Sequence, residues 1–296
     1  MLIRTSITGI GDPFILRVGS VYYAYATSAP DGFLVYTSEN LTDWRSAGYC
    51  FRGNAWANAS FWAPEVFNRG GLYHLLYTAR RTSDGSLRVG LAVSDRPEGP
   101  FRDRTDGPLF DLGYAAIDAT FFADDDGRAY LYYSRDCSEN TNADGAWVSE
   151  IYGAEVDGDF RFLNDPVLLT TPTMEWEKRG HPTPPKYWNE GPALLKHAGT
   201  YYLNFSASFY ASRDYCVGCA VSDRPLGPFV KYPRPVLQCA PGDFSGPGHN
   251  NFFRDEKGDL FTSFHIHTDP AHPSDDRRMC LARAGFAPDG TFFIDA

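Results

Sequence analysis

Short apolar runs separated by turn residues recur along the whole chain. One run spans residues 116–122, a turn rich in aspartate and glycine follows at 124–127, and a second apolar run covers 129–133. Runs rich in aromatic and β-branched residues, bounded by Gly, Pro and Asp, are typical of β-strands joined by tight turns. Apolar positions at the helical spacing are nearly absent. The pattern predicts an all-β protein.

This run-turn-run pattern occurs five times, and each copy opens on one polar residue. The opening residues are spaced by 53, 53, 72 and 59 positions, and they are Asp12, Glu65, Asp118, Glu190 and His249. Each interval can hold four short strands with their turns. Two decapeptides, at 92–101 and 220–229, are nearly identical. Repeated four-stranded units of this length are typical of β-propeller blades.

We therefore predict a five-bladed β-propeller with four antiparallel strands per blade, forming one domain over residues 1–296. A β-sandwich is the alternative all-β fold, but it does not explain the repeat. The first copy predicts strands at residues 13–17, 21–27 and 32–38, with an edge strand near 45–49. The second copy predicts strands at residues 65–68, 72–79 and 87–94, with an edge near Phe101.

Composition narrows the class of protein. Hydrophobic residues at 43% and aromatic residues at 16% provide for a large core and argue against disorder. A net charge of −10 without a basic run argues against binding to nucleic acid or to an anionic membrane surface. No apolar run reaches the length of about 18 residues that indicates a membrane span.

The N-terminus and the cysteines bear on localisation. The first copy begins close to Met1, which leaves no room for a signal peptide. We expect a cytoplasmic protein, or a secreted one whose leader has been removed. The six cysteines are scattered through the chain, and Cys216 and Cys219 form its only CxxC pair. We expect reduced, mostly buried thiols and no metal at this pair.

Propeller geometry gives the opening residues a chemical meaning. The first strand of each blade lines the central channel, so four acidic side chains and a histidine are expected to meet at one end of it. Such a cluster is costly through repulsion and desolvation, which a purely structural protein has no reason to bear. Carboxyl groups that lie close together have separated pKa values, so that one stays protonated while another is ionised. Acid–base hydrolysis of a glycosidic bond has this requirement.

Each copy also carries a short motif around its opening residue. The motifs are Gly11-Asp12-Pro13-Phe14, Trp62-Ala63-Pro64-Glu65-Val66, Ile117-Asp118-Ala119-Thr120, Asn189-Glu190-Gly191-Pro192 and Gly246-Pro247-Gly248-His249-Asn250. In this order they resemble the motifs of glycoside hydrolase family 43. The resemblance implies a five-bladed propeller that hydrolyses glycosidic bonds with inversion. Sucrose- and fructan-splitting propellers are set aside, because they need an Asn where Gly11 stands and an Arg-Asp-Pro motif that the chain lacks.

The resemblance implies a role for each of three carboxyl groups. Asp12 matches the general base that activates water, and Glu190 matches the general acid that protonates the leaving oxygen. Asp118 matches the residue that raises the pKa of Glu190 and helps to orient it. An inverting pair needs carboxyl groups about 6.5–9.5 Å apart, which opposite blades of a small propeller can provide.

Aromatic residues beside these positions are candidates for stacking on a sugar face. Trp62 and Trp188 lie next to catalytic positions in the sequence, and Phe33 lies in the second-to-third strand region of the first copy. Sugar rings pack against the faces of such side chains. Core packing is the alternative role for all three.

Further residues are assigned from the resemblance. His249 resembles a family histidine near the channel axis that contacts a central calcium ion through water, so we expect Ca²⁺ with His249 as a ligand and no organic cofactor. Arg277 resembles an arginine that reaches the bound sugar, and Glu65 has no role beyond the option of holding this arginine. His265 and His267 share one face of a predicted strand, but the adjoining Pro- and Asp-rich loop favours a surface segment over a zinc site.

The expected function is that of an inverting exo-glycosidase that releases terminal α-L-arabinofuranosyl residues from small oligosaccharides. The loop at residues 170–188 directly precedes Glu190 and is expected to wall a pocket, which favours exo action. The chain ends soon after the fifth copy, without the additional β-sandwich of many family xylosidases, and this favours arabinofuranosides. A β-D-xylosidase, an endo-arabinanase and a non-catalytic carbohydrate-binding propeller remain alternatives, and both monomer and dimer fit the sequence.

Overall fold

The computed structural model describes residues 2–296 and is built almost entirely from β-strands. The first blade contains strands β2 to β5 in chain order, at Gly11–Val18, Val21–Thr27, Gly32–Ser38 and Arg45–Arg52. The second blade contains β6 to β9, at Ala57–Arg69, Leu72–Arg81, Leu87–Ser94 and Arg102–Asp103. Both are antiparallel four-stranded sheets. The strands predicted in these two copies are confirmed, with extensions mainly at the ends of the first strands.

The third and fourth blades are joined in one continuous sheet. The third blade contains β10 to β13, at Ala116–Ala123, Ala129–Arg135, Trp147–Val156 and Val167–Thr170. The fourth contains β14 to β17, at Lys186–His197, Thr200–Ala207, Cys216–Ser222 and Val230–Lys231. The beginnings of β12 and β14 pair in parallel, from Trp147 with Lys186 to Ser149 with Trp188. Short 3-10 helices lie at Cys137–Glu139 and Glu175–Lys178.

The fifth blade brings together both ends of the chain. It contains β18 to β21, at Gly248–Arg254, Leu260–His267, Arg277–Phe286 and Phe292–Asp295. The first strand of the chain, β1 at Ile3–Thr8, pairs antiparallel with β20. This fifth strand was not predicted, and it ties the N-terminus to the last blade.

The first strands of the blades form a closed ring around the axis. Contacts run from β2 to β6, β10, β14 and β18, and from β18 back to β2. The chain is thus a five-bladed β-propeller. Apolar layers fill the spaces between blades; the layer between the first two contains buried Tyr25, Phe33, Phe51, Phe61 and Tyr77.

Two predictions about the bulk of the chain can be compared with this fold. All six cysteines are free thiols, and all except the partly exposed Cys239 are buried, which confirms the prediction of reduced thiols. Within residues 2–296, no helix has the length and apolar character to cross a membrane.

Candidate active site

A β-bulge interrupts the first strand of every blade at the same register. The pairing shifts after Gly11, Trp62, Ile117, Glu190 and Gly248. The residue that follows each of these has a left-handed backbone, and the five are Asp12 (φ 54°), Ala63 (45°), Asp118 (55°), Gly191 (56°) and His249 (51°). Four of them are not glycine, so the backbone stores strain of the kind that clusters at functional sites. A bulge re-aims the side chains next to it.

The bulges correct one prediction. The five opening residues do not form a single ring, because only Asp12, Asp118 and His249 occupy the left-handed position. Glu190 lies one residue before its bulge residue and Glu65 two residues after. Glu65 is therefore placed deeper in the channel than the others. The sequence could not reveal this offset, because the motifs align on acidic residues rather than on backbone conformation.

Asp12 lies in a cluster of nitrogen donors. Its Oδ1 is 3.2 Å from His249 Nδ1 and 3.4 Å from Arg277 Nη1, and its Oδ2 accepts a 2.6 Å hydrogen bond from the Thr27 hydroxyl. Its backbone N–H donates to His265 Nδ1 at 3.1 Å. The carboxylate is thus fixed on both oxygens and at its own backbone.

These contacts keep Asp12 ionised. Burial works against its charged form, but His249 and Arg277 outweigh burial, and the pKa of Asp12 falls below its usual range. His265 and the Thr27 hydroxyl act in the same direction. Burial also lowers the pKa of both histidines, so their rings are neutral at neutral pH. The Arg277 guanidinium then supplies the lasting positive charge beside Asp12.

The proton on His265 is assigned by its neighbours. Because Nδ1 accepts the fixed backbone N–H of Asp12, the neutral ring must carry its proton on Nε2. Nε2 is 3.4 Å from Arg277 Nη1, and two donors cannot bond each other, so this contact is packing. His265 itself is fully buried behind Asp12, whereas the adjoining loop at residues 269–276 is mostly exposed, as predicted.

Arg277 reaches Asp12 because residue 11 is glycine. A Cβ on Gly11 would lie 2.2 Å from Arg277 Nη2. The guanidinium also lies 5.2 Å from the centre of the Tyr210 ring. Arg277 is therefore held between a carboxylate and an aromatic face, and its contact with a sugar stays a prediction.

Asp118 is buried next to the strand that carries Glu190. Its backbone N–H donates to Thr78 Oγ1 at 2.9 Å, and its Oδ2 accepts the backbone N–H of Gly191 at 3.3 Å. Burial raises the pKa of Asp118 well above its usual range, and the charges of Glu190, Asp12 and Asp136 add to this effect. Asp118 thus contacts the backbone one residue after the predicted acid.

Glu190 has the environment of a protonated acid. Tyr215 donates its hydroxyl to Glu190 Oε1 at 2.9 Å. Burial raises the pKa of Glu190 to about 8, with the charges of Asp136 and Asp12 acting the same way and the Tyr215 hydrogen bond and Arg277 opposing it. Glu190 and Asp118 interact, so they titrate as a pair that holds a proton at neutral pH.

A ring stack connects the two sides of the site. The Tyr215 ring lies parallel to His265, with centroids 5.6 Å apart and an interplanar angle of 5°. His265 contacts Asp12 and Tyr215 contacts Glu190, so the stack bridges the predicted base and acid. Gly248 makes room for it, since a Cβ there would lie 2.1 Å from the Tyr215 ring.

A repeated contact between blades also supports the bulges. The residue opposite each pre-bulge position is polar, and the five are Thr27, Thr78, Ser134, Ser206 and His265. Four of them accept the backbone N–H of the left-handed residue in the next blade, at 2.7–3.1 Å. At the third-to-fourth junction, Gly191 N–H instead goes to Asp118, and the buried Ser134 hydroxyl has no partner.

Sequence reasoning missed these polar residues and Tyr215. A signal existed, because a hydroxyl or imidazole lies within the last four residues of the second strand of every copy. The signal is weak, since serine and threonine are common at strand ends. Phe209 and Tyr210 were missed as well; the Phe209 ring lies 5.4 Å from that of Trp188, beside the catalytic strand.

The three predicted aromatic residues have different surroundings. Phe33 is wrong as a sugar-binding residue, because its ring is fully buried and packs 6.0 Å from Phe51. Trp62 is partly buried and precedes a bulge, and Trp188 is buried except for a small fraction of its surface. Sugar stacking on these two tryptophans stays a prediction.

Glu65 does not hold the arginine. Its Oε1 accepts a 2.6 Å hydrogen bond from Asn251, on the same level of the channel, and Thr120 also bonds it. Burial raises the pKa of Glu65 to about 8. Glu65 is therefore a neutral channel residue at neutral pH, whereas Arg277 pairs with Asp12.

The donors around His249 do not fit a protein-bound calcium ion. Calcium prefers six to eight oxygen ligands. Among residues 2–296, no three His, Cys, Asp or Glu side chains are placed to share a metal. His249 Nδ1 already faces Asp12 Oδ1, and the Arg277 guanidinium contacts the same oxygen. Calcium held mainly by water stays a prediction, and no catalytic step depends on it.

Comparison with curated proteins finds glycosidases. The chain is 28% identical over 295 residues to a β-D-galactofuranosidase of Aspergillus niger, covering 93% of this chain and 79% of that enzyme. It is 26% identical over 314 residues to an extracellular exo-α-(1→5)-L-arabinofuranosidase of Streptomyces avermitilis, covering 95% of this chain but only 60% of that enzyme.

Comparison with solved structures also finds enzymes that act on glycosides. A thermostable family-43 glycoside hydrolase matches with a TM-score of 0.94 and 42% identity, over 99% of this chain and 95% of that one. An endo-1,4-β-xylanase from Bacteroides thetaiotaomicron matches with a TM-score of 0.84 and 30% identity, over 98% and 96%. The family model described as glycosyl hydrolases family 43 matches residues 7–292, which run from the start of the first blade to the beginning of β21 in the fifth. The chain therefore belongs to glycosyl hydrolase family 43.

Proposed function

We propose that this glycoside hydrolase is an inverting, exo-acting α-L-arabinofuranosidase that releases terminal arabinofuranosyl residues from small oligosaccharides. One observation carries the proposal: Asp12 lies against Arg277 and two histidines, which lower its pKa, whereas Glu190 receives a single hydrogen bond from Tyr215 and burial raises its pKa to about 8. Two carboxyl groups whose pKa values are pushed apart are the requirement for acid–base hydrolysis of a glycosidic bond.

Asp12 is the general base of this mechanism. Its carboxylate accepts a proton from water as the water oxygen attacks the anomeric carbon from the face opposite the leaving group. Thr27 and Arg277 hold the two carboxylate oxygens in place. The low pKa of Asp12 keeps the carboxylate ionised over the pH range in which the enzyme works. It also makes the carboxylate a weaker base.

Glu190 is the general acid. It gives its proton to the glycosidic oxygen as the bond to the anomeric carbon breaks, and Tyr215 fixes the direction of its carboxyl group. Burial of Asp118 keeps the Asp118–Glu190 pair protonated, and Asp118 Oδ2 accepts the backbone N–H of Gly191. After one turnover Asp12 carries a proton and Glu190 has lost one, so exchange with solvent restores both.

The names of the relatives support a five-membered sugar ring. One acts as an exo-α-(1→5)-L-arabinofuranosidase and another as a β-D-galactofuranosidase. β-D-Galactofuranose has the ring stereochemistry of α-L-arabinofuranose with one more exocyclic carbon. A β-D-xylosidase is the second candidate, because a curated relative 28% identical over 205 residues, in Xylanibacter ruminicola, has that name.

The loop before Glu190 supports exo action. Its 3-10 helix, Glu175–Lys178, is anchored in the fourth blade, where Trp176 stacks on Phe205 at 6.2 Å. Residues 179–187 return from this anchor to the start of the catalytic strand. An anchored loop beside the acid narrows the site on one side, as a pocket for a chain end requires.

Hydrolysis of 4-nitrophenyl α-L-arabinofuranoside, β-D-galactofuranoside and β-D-xylopyranoside tests the sugar. We expect the highest kcat/KM for the arabinofuranoside, and single arabinose units as the first products from arabino-oligosaccharides. A preference for the xyloside would replace the substrate with the second candidate. Release of longer fragments from arabinan would contradict exo action, and no hydrolysis of glycosides or polymers would indicate a binding propeller.

A further inference from the structure

A buried ion pair lies behind the catalytic strand of the fourth blade. Glu177 belongs to the 3-10 helix of the preceding loop, and Lys231 belongs to β17, the outer strand of the blade. The Glu177 side chain is 0% exposed and the Lys231 side chain 9% exposed. Neither group bonds to Asp12, Asp118 or Glu190, and the proposed mechanism uses neither of them.

The polar atoms of this pair are fully used. The Lys231 ammonium donates to Glu177 Oε1, to the carbonyl of Thr171 at 2.7 Å and to Asn189 Oδ1 at 2.8 Å. Glu177 Oε2 accepts the backbone N–H groups of Thr173 and Met174 at 2.6 and 2.7 Å. One ion pair thus fixes the loop and the start of β14 together.

Asn189 is the point where this network meets the catalytic strand. Its amide nitrogen donates to Glu177 Oε1 at 3.2 Å and to the carbonyl of Trp188 at 2.9 Å, while its oxygen accepts from Lys231. The side-chain amide is fully buried and cannot rotate without losing these bonds.

Glu190 follows Asn189 directly. Successive side chains of a strand point to opposite faces, so an Asn189 side chain held inside the blade leaves Glu190 directed to the other face. The left-handed bulge at Gly191 comes next, and regular pairing resumes only at Ala193. Asn189 is therefore held inside the blade immediately before Glu190 and the bulge, while Tyr215 contacts Glu190 from the other side.

Stability alone does not explain this ion pair. Burying two charges costs about as much as their attraction returns, and well-packed apolar replacements are often neutral or stabilising. Geometry offers a better explanation, because the contacts converge on the residue next to the acid. We propose that the Glu177–Lys231 pair is a positioning element that, through Asn189, sets the direction of the Glu190 carboxyl group. This rests on the proposed role of Glu190 as general acid.

The double variant Lys231→Met/Glu177→Gln tests the proposal without leaving a buried charge unpaired. We compare kcat for α-1,5-arabinobiose, whose leaving group needs a proton, with kcat for 4-nitrophenyl α-L-arabinofuranoside, whose leaving group needs little. If the wild type prefers xylosides, xylobiose and the 4-nitrophenyl xyloside take their place. A misdirected acid should lower kcat on the disaccharide at least about tenfold more than on the aryl glycoside, with KM nearly unchanged.

Lys196→Met is the matched control. Lys196 lies at the far end of the same strand and pairs with Asp124 and Asp125. Its loss should lower stability without changing the ratio of the two kcat values. If the double variant does not fold, Asn189→Ala carries the same test, because it leaves the ion pair intact.

Equal losses on both substrates, or no loss, in a folded variant would overturn the positioning role. Glu190→Ala separates this outcome from a failure of the proposed function. If Glu190→Ala itself shows no selectivity for leaving group, the acid assignment fails; if it is selective and the ion-pair variant is not, only the positioning role fails.

Discussion

At the scale of single residues, the two proposed catalytic carboxyl groups, Asp12 and Glu190, differ in what surrounds them. Asp12 faces a guanidinium, two imidazoles and a hydroxyl, whereas Glu190 faces other carboxyl groups and receives one hydrogen bond from Tyr215. Both are partly buried, so burial alone cannot separate their pKa values. The separation comes from neighbours on other blades.

Tyr215→Phe tests this account of Glu190. The Tyr215 hydrogen bond stabilises the ionised form, so its removal should raise the pKa of Glu190 further above about 8. A general acid must be protonated, and activity is lost as pH rises through its pKa. The basic limb of the kcat/KM profile should therefore move to higher pH. An unchanged or lowered basic limb would contradict the assignment.

Gly11→Ala tests the contact between Arg277 and Asp12. The new Cβ would displace only the end of a flexible side chain, so the fold should tolerate it. Without the guanidinium, the pKa of Asp12 should rise, and the acid limb of the pH–rate profile should move to higher pH. Circular dichroism and thermal unfolding provide the control, and an acid limb that stays in place would show that Arg277 does not tune the base.

Motifs in the sequence predicted that Asp12, Asp118 and Glu190 lie close together, and the structure brings them together. They could not predict the depth of Glu65, because depth depends on the bulge and not on spacing. They also could not predict His265 and Tyr215, which are distant in sequence and meet the site only through blade packing. Phe33 was misassigned because an aromatic residue near a loop in the sequence was fully buried in the structure.

At the scale of elements, the sequence predicted the strands better than it predicted the bulges within them or the contacts between blades. Apolar runs and turn residues predicted the first two blades closely. Backbone conformation at the bulges leaves no comparable pattern, since Asp, Ala, Gly and His all occupy the left-handed position. The polar contact from one blade to the next, present at four junctions, compensates for the pairing that each bulge disrupts.

The junction between the third and fourth blades lacks this contact, and comparing it with the next junction provides a matched pair of variants. Ser206 accepts the buried N–H of His249 at 2.7 Å, whereas the Ser134 hydroxyl has no partner. Ser206→Ala should lower the free energy of unfolding by about 1–3 kcal/mol, because it leaves a buried donor unsatisfied. Ser134→Ala should be neutral or stabilising. Urea denaturation measures both, and equal losses would contradict the contact pattern.

At the scale of the whole molecule, the closed ring brings carboxyl groups from several blades into one channel. The ring itself could be predicted from the repeat, but its closure by β1 could not, because a short N-terminal strand carries no repeat motif. Burial in this channel makes stability depend on pH. Groups such as Glu65, whose pKa is raised on folding, bind protons more tightly in the folded state.

Glu65→Gln tests this dependence. Between the ordinary pKa of 4.5 and about 8, the unfolded chain releases a proton that folded Glu65 keeps, so stability falls as pH rises. The variant cannot ionise and should lose less stability over this range, while keeping activity. Denaturant unfolding at several pH values measures the slope. A slope equal to that of the wild type would show that Glu65 ionises normally in the folded state.

The stereochemistry of hydrolysis tests the central claim most directly. Proton NMR at early times can follow the anomeric signal of arabinose released from an α-L-arabinofuranoside. If Asp12 activates water and Glu190 protonates the leaving group, the first product is the β-anomer, which then mutarotates. Initial formation of the α-anomer would mean retention, and would contradict the role of Asp12 as a base.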